Sequence, residues 1–433
     1  MIAVGFAGAI AVGTMLLSLP FATASGERAP FVDALFTATS AVCVTGLASV
    51  DTGTYWSDYG RAVLLVLVQA GGLGIMTVAT MMALVFSRRL GFRTRLIAQA
   101  ETKALTAADL RRLIARIVLF SLVSELVAAV ILTVRFATTY GESLGDAAYS
   151  GVFHAVAAFN NAGFSIYSDS LVRYVTDPWV TLTIAAAVII GGLGFPVVFE
   201  LLRSAHRPET WSVLTRITVT MTVFLLVVGT LGIFAIEAGN AGTMGPLSAA
   251  EALLASFFAG VMPRSAGFNT VDLSAAKPES LFLMDILMFI GGGSAGTAGG
   301  IKVTTFGVLA YVLWAEMRGQ RDVEVGRRRL PPGTQRQALA IAMLGSTTVL
   351  VASFVMLSLT ELDFDHVLFE AVSATATVGL SVGITDDLPD GALLLMVGLM
   401  FVGRIGPLTL ASALAFRERQ QLRELPEERT IVG

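Results

Sequence analysis

Apolar residues along this chain run in long blocks, not in the apolar–polar alternation of half-buried strands. The blocks fall at 1–24, 62–86, 114–134, 178–202, 217–236, 281–317, 338–359 and 392–416. About 20 apolar residues cross the hydrocarbon core of a bilayer. The pattern therefore predicts eight spanning helices, and the sixth block is too long for one uninterrupted crossing. After each odd-numbered block comes a shorter segment of about ten residues, which is too short to span and ends in a small, partly polar peptide broken by glycine.

Those four peptides are related to one another. The first, SAVCVTGLASVD, centres on Gly46; the others centre on Gly163 (AFNNAGFS), Gly267 (MPRSAGFN) and Gly379 (ATATVGLS), with separations of 117, 104 and 112 residues. A phenylalanine stands ten residues before each glycine (Phe36, Phe153, Phe257, Phe369), and an alanine eight before (Ala38, Ala155, Ala259, Ala371). A leucine or phenylalanine follows each glycine. The expected architecture is all-α, with four repeats at 1–90, 91–208, 209–325 and 326–433. Each repeat reads as span, re-entrant half-helix, glycine peptide and span, and the four surround one central pore.

Non-helical backbone survives at membrane depth only where it lines a water-filled cavity or is buried in protein. Four such peptides about one axis would form a ring of carbonyls, which can replace the hydration shell of a monovalent cation. Half-helices aimed C-terminus first would add partial negative charge there. The candidate backbone ligands are Cys43, Val44, Thr45 and Gly46; Asn160, Asn161, Ala162 and Gly163; Arg264, Ser265, Ala266 and Gly267; and Ala376, Thr377, Val378 and Gly379. Small or uncharged side chains suit backbone ligation better than a carboxylate-lined divalent site. Arg264 is the exception. Its guanidinium is expected to turn away from the axis, toward Glu370 or toward carbonyls. Glu125 lies deep in its block with no partner evident from the sequence.

The over-long sixth block contains FIGGGSAGTAGGIKVTTF, residues 289–306. Each glycine costs a helix about 1 kcal/mol against alanine, so a straight helix is not expected here. The stretch lacks the Gly-Lys-Ser/Thr ending of a phosphate-binding loop, and no strand precedes it. A helix-packing role for its glycines stays open. The other second spans carry AGGLGIM (70–76), IGGLGFP (190–196) and VGRIGPL (402–408); the place of Gly72 and Gly192 is taken by Arg404 in the fourth. A charge at mid-span costs about 2.5–3.5 kcal/mol on insertion scales. Such a residue faces a cavity or a partner unless it snorkels to the surface.

Only 14% of the 433 residues are charged and 55% are hydrophobic, where a soluble domain carries about 25% charged residues. Lys and Arg gather at 87–116, 203–216, 316–336 and 417–433, which hold 21 of 29; they include Arg88, Arg89, Arg93, Arg95 and Arg327–Arg329. Asp51, Asp58, Asp272, Asp386 and Asp387 fall on the other side. By the positive-inside rule the N-terminus lies outside and the C-terminus in the cytoplasm of a multi-pass cell-membrane protein. The single cysteine excludes an internal disulfide. The three histidines form no metal-spaced pair, and no nucleophilic triad or paired-carboxylate site lies within the spans, so an enzyme is not expected. A secondary transporter with broken helices, for another cation or a small substrate, is the alternative.

The peptides TATSAVCVTGL, FNNAGFS, PRSAGFNT and ATVGLSVG, together with GGSAGTAGGIK, resemble those of the Trk/Ktr/HKT potassium-transporter superfamily, in particular its KtrB-type membrane subunits. The resemblance covers nearly the whole chain. It implies potassium uptake through a filter of four repeats; the glycine at Gly46 is similar to that of potassium-selective members, and some plant relatives with serine there favour sodium. It also implies an intramembrane gate formed by Gly291, Gly292, Gly293, Ser294, Ala295, Gly296, Thr297, Ala298, Gly299 and Gly300 with Lys302, and Arg404 at the pore constriction. The implied partners are a second copy of the chain, as a homodimer in the lipid bilayer, and cytosolic nucleotide-binding regulatory subunits of KtrA/TrkA type, with no nucleic acid. Any nucleotide would act through that regulatory partner, since the chain has no dinucleotide-binding segment. K+ is the implied cargo; Na+ as a coupling or activating ion stays open.

Overall fold

A computed structural model describes residues 2–89, 107–326 and 328–416. Arg93, Arg95, Arg327, the start of the second expected repeat, the tail from 417 and the side chains of Arg88 and Arg89 lie outside the described residues. The helices in chain order are α1 (Ile2–Leu17), α2 (Phe31–Val42), α3 (Asp58–Arg89), α4 (Ala107–Thr139), α5 (Leu144–Phe159), α6 (Pro178–Leu193) and α7 (Phe195–Ser204). They continue with α8 (Val213–Glu237), α9 (Ala249–Val261), α10 (Pro278–Ile290), α11 (Val303–Met317), α12 (Pro332–Leu359), α13 (Phe364–Thr375) and α14 (Asp390–Phe416). Among the described residues, strand is limited to a two-residue hairpin pairing Glu324–Val325 with Arg328–Arg329.

The starts of these helices follow from local chemistry. Asp177 accepts from the amides of Trp179 and Val180 and is followed by Pro178, whose missing N–H is needed least at a helix start. Ser212 caps α8 through the Thr215 amide. Ser248 and Glu251 form a reciprocal capping box at α9.

Among the described residues, four helices suit a membrane crossing by length and apolarity, or up to five if the bent pair α6–α7 is counted as one span. The block 178–202, expected as one span, is instead broken at Gly194, where α6 and α7 meet at 102°. Gly194 has φ of +90°, and a Cβ there would lie 2.3 Å from Ser294 O. The sharp turn and the close approach of another loop both need the missing side chain. The sixth block divides into α10 and α11 around residues 291–302.

The packing is cyclic. Each of the helices α2, α5, α9 and α13 packs on the helix before it, α1, α4, α8 and α12. Each also packs on a helix from elsewhere in the chain: α3 meets α5, α6 meets α9, α10 meets α13, and α14 returns to α2. Phe36, Phe153 and Phe369 are buried in these seams. In α9 the buried ring is Phe258 and Phe257 is only half-buried. That helix sits one residue out of step, and it ends at Val261 because Pro263 offers no amide to extend the ladder.

Candidate functional site

The C-termini of α2, α5, α9 and α13 lead into the four glycine peptides, and the structure brings all four together. A Cβ on Gly46 would lie 2.2 Å from Ala162 O, and one on Gly163 2.8 Å from Ala266 O. One on Gly267 would lie 2.7 Å from Val378 O, and one on Gly379 2.1 Å from Thr45 O. Each glycine thus abuts the carbonyl before the next glycine, and the fourth loop closes on the first. A side chain at any of the four would collide with neighbouring backbone.

The loops share an unusual backbone. The four glycines have φ of +98°, +63°, +74° and +97°, and the residue two before each is also left-handed: Val44 at +55°, Asn161 at +59°, Ser265 at +71° and Thr377 at +49°. For β-branched Val44 and Thr377 this conformation costs on the order of 1–3 kcal/mol and persists only where the surroundings impose it. The amides between turn back toward the helices. Thr45 N donates to Ser40 O at 2.7 Å, Ala162 N to Ala157 O at 2.8 Å, Ala266 N to Met262 O at 3.0 Å and Val378 N to Ser373 O at 2.9 Å. With the amides satisfied behind, the carbonyl side of each loop is presented away from its own helix. Each helix C-terminus contributes about half a negative charge there. Cys43, Ala376 and the other loop side chains are buried.

Residues 291–302 press on three of these loops at the left-handed positions. Thr297 Oγ1 donates to Asn161 Oδ1 at 2.7 Å and to Phe159 O at 3.3 Å. Gly299 N donates to Ser265 Oγ at 2.7 Å, and that hydroxyl donates on to Thr377 O at 2.7 Å. A Cβ on Gly299 would lie 2.1 Å from Thr377 Oγ1. The segment is also tied to the break in α6–α7: Gly293 N donates to Gly192 O at 2.8 Å, Thr297 N to Gly191 O at 3.1 Å and Phe195 N to Ala295 O at 3.4 Å. At its base Ser294 Oγ meets Thr304 Oγ1 at 2.7 Å, and Lys302 Nζ donates to Ala298 O. Gly291, Gly296 and Gly300 make backbone contacts within the fold that leave no room for a Cβ, and in Gly292 it would strike Ala298.

Arg404, on α14, is 5% exposed. Its Nη1 donates to Thr297 O at 2.6 Å, while Nε and Nη2 have no protein partner among the described residues. It does not snorkel. Arg264 turns away from its loop as expected, but toward carbonyls and not toward Glu370. Its Nε and Nη1 donate to Gly291 O and Thr222 O at 3.4 and 3.5 Å, and Nη2 donates to Thr222 Oγ1 at 3.1 Å. Glu370 instead accepts from Ser381 Oγ, Val382 N and Thr385 Oγ1, which ties down the segment that follows the fourth loop.

Two features lie at places the sequence shows but to which its pattern assigns no role, the first at the shared glycine before Gly72, Gly192 and Arg404 in AGGLGIM, IGGLGFP and VGRIGPL. The glycines that let helices reach the loop ends are Gly71, Gly191 and Gly403, where a Cβ would lie 2.1, 2.0 and 1.9 Å from Val42 O, Phe159 O and Thr375 O. Ser40 and Ser373, six residues before their glycines, accept from Gly46 N at 3.0 Å and Gly379 N at 3.1 Å. Comparing the four peptides at that offset would have found the serines, but only in two of them.

Helical packing in a cycle, apolar helices that suit a bilayer and four glycine loops at the centre define a membrane-embedded transport protein. The chain matches the TrkH family, described as cation transport protein, over residues 9–422, and belongs to it. It is a cation transport protein and not an enzyme. It is 38% identical over 432 residues to the Ktr system potassium uptake protein B of Bacillus subtilis, covering 100% of this chain and 96% of that protein. It is 39% identical over 433 residues to the protein of the same description in Vibrio alginolyticus, covering 100% and 94%. The potassium/sodium uptake protein NtpJ of Enterococcus hirae is 33% identical over 440 residues, covering 100% and 96%. Among solved structures, the crystal structure of the potassium transporter TrkH from Vibrio parahaemolyticus superposes with a TM-score of 0.72 at 18% identity, covering 95% of this chain and 85% of that one.

Proposed function

We propose that this chain is the ion-translocating subunit of a potassium uptake system. K+ would pass through a filter of backbone carbonyls from residues 43–46, 160–163, 264–267 and 376–379, and the 291–300 segment with Lys302 and Arg404 would gate it from below. The observation that carries the reading is the closed contact ring of Gly46, Gly163, Gly267 and Gly379, each with a left-handed residue two places before it. A monovalent cation needs several oxygens at once to replace its water, and a cycle of four equivalent loops supplies them without a fixed carboxylate. The Ktr and NtpJ relatives named for potassium or potassium/sodium uptake support the cargo.

In this reading the repeats run 1–90, 91–208, 209–325 and 326–433, with the N-terminus outside and the C-terminus in the cytoplasm. The basic inner face receives a nucleotide-binding regulatory subunit, and two copies pair in the membrane. Relatives described as components of a Ktr system support a multisubunit assembly. The test is cation flux into liposomes holding the purified chain. Uptake of K+ in preference to Na+, without any organic solute, is expected. Flux that requires a small organic substrate would overturn the reading in favour of a secondary transporter.

A further inference from the structure

Each of the four central loops is braced from behind, and the second is braced in a way of its own. In the first and fourth, a serine hydroxyl holds the glycine amide: Ser40 on Gly46 and Ser373 on Gly379. The second loop has Ala157 at that place and the third has Val261. In the third, Arg264 ties the loop to α8 and to Gly291. In the second, the equivalent residue is Asn160, and its side chain enters a buried polar cluster formed with α3 and α4.

Asn160 Nδ2 donates to Gln69 Oε1 at 2.8 Å, to Glu125 Oε1 at 3.2 Å and to Val156 O at 2.9 Å. Gln69 Nε2 donates to Glu125 Oε1 at 3.0 Å and to Oε2 at 3.3 Å. Glu125 is 6% exposed and its hydrogen-bond partners are both amides. Gly72 completes the pocket, because a Cβ there would lie 1.9 Å from Asn160 Oδ1. Burying a carboxylate without a cation is costly, and apolar residues of the same volume would pack these helices at less cost. What the cluster achieves is to fix one side chain, Asn160, whose neighbour Asn161 is left-handed and holds Thr297 of the gating segment.

We infer that Glu125 and Gln69 are positioning residues that hold the second loop in its ion-selecting geometry through Asn160, replacing from outside the ring the serine brace that this loop lacks. The inference rests on the reading of the loops as a K+ filter. Glu125 supplies an acceptor oxygen at a set place; its role is not that of a charge acting on the ion.

The full chain, Glu125→Ala, Glu125→Gln and Gln69→Ala are purified, reconstituted in liposomes and compared for K+ and Na+ uptake per folded protein. Glu125→Ala and Gln69→Ala are expected to lower the K+/Na+ uptake ratio about tenfold, the scale of leaving a buried hydrogen-bonding group without its partner. Glu125→Gln keeps an oxygen within reach of Asn160 Nδ2 and is expected to retain most of the ratio. A wild-type ratio in Glu125→Ala overturns the inference, and so does a Glu125→Gln ratio as low as that of Glu125→Ala. If Glu125→Ala does not fold, an unchanged ratio in Gln69→Ala overturns it instead. An unmodified chain with no K+ preference would sink the filter reading itself, which is a separate result.

Discussion

Arg404 is tied to the segment beneath the loops by a hydrogen bond from its Nη1 to Thr297 O at 2.6 Å. The same Thr297 holds Asn161 of the second loop through its hydroxyl. On the proposed reading, one side chain would place a positive charge by the ion path and pin the segment that narrows it. At about 5 Å from a passing K+, two unit charges at an effective dielectric of 20 repel by about 3 kcal/mol. Neighbouring carbonyls reduce the net barrier, and each 1.4 kcal/mol is about tenfold in rate. Arg404→Ala is expected to raise K+ flux severalfold in reconstituted protein and to leave the K+/Na+ ratio nearly unchanged, because on that reading the loops lie outward of it. Lower flux at equal folded protein would contradict the barrier role.

Gly299 offers a way to move the segment without removing it. A Cβ there would meet Thr377 Oγ1 at 2.1 Å and Ala376 O at 2.2 Å. The second of these is backbone and cannot step aside. Gly299→Ala should push the segment off the third and fourth loops and raise flux, as should deletion of part of 291–300. Monodisperse protein with abolished flux in both variants would show instead that these glycines serve helix packing.

Much of this arrangement was legible in the chain itself. The spacing of Gly46, Gly163, Gly267 and Gly379 identified the four peptides, because each follows a short buried helix, at the same offset in three repeats and with α9 ending two residues earlier in the third. The interruption of the sixth block followed from its glycine content. The break at Gly194 did not, because IGGLGFP differs little from AGGLGIM, and α3 continues unbroken through Gly74. The difference is partly local, since Pro196 in the first turn of α7 cannot donate to Gly192 O, and partly tertiary: Ser294 approaches Gly194, whereas a Cβ on Gly74 would meet nothing within 4 Å. The partners of Glu125 were not legible either. Gln69 and Asn160 stand 56 and 35 residues from it in sequence and meet it only through helix packing. The one-residue offset of α9 was masked by the pair Phe257–Phe258, either of which satisfies the pattern.

Gly46 and Gly74 separate two reasons for glycine. At Gly46, φ is +98° and a Cβ would lie 2.2 Å from Ala162 O and 2.9 Å from Gly163 Cα. Gly46→Ser should therefore displace the second loop and weaken the preference for K+ over Na+ in a protein that still folds. Gly74→Ala should leave flux and preference unchanged and gain up to about 1 kcal/mol of helix propensity. Paired K+ and Na+ uptake measurements on both variants decide the matter. An unaltered ratio in Gly46→Ser would remove the first peptide from the filter.

Asp177 gathers the C-terminal end of α4 and the N-terminal end of α6. Its Oδ2 accepts from Arg135 Nε at 2.7 Å and Tyr140 OH at 2.9 Å, and its Oδ1 accepts from Trp179 N at 2.9 Å at the start of α6. The residue is 4% exposed, whereas the Arg135 side chain is 32% exposed. The ion pair is therefore partly screened by solvent and contributes little more than a surface pair. The cap and the bond to Tyr140 carry most of the effect. Losing an N-cap costs about 1 kcal/mol, and losing the bond to Tyr140, which is 41% exposed, adds about 0.5–1 kcal/mol. Asp177→Ala should thus destabilise the protein by roughly 1.5–2 kcal/mol in total. Asp177→Asn keeps an oxygen for the cap and should lose about half of that. Thermal unfolding of the purified protein reads both. Flux per folded molecule should stay at the wild-type level in each variant, since none of these partners touches the four loops or residues 291–302. A change in K+/Na+ ratio in Asp177→Asn would show that this outer cluster shapes the filter as well as the fold.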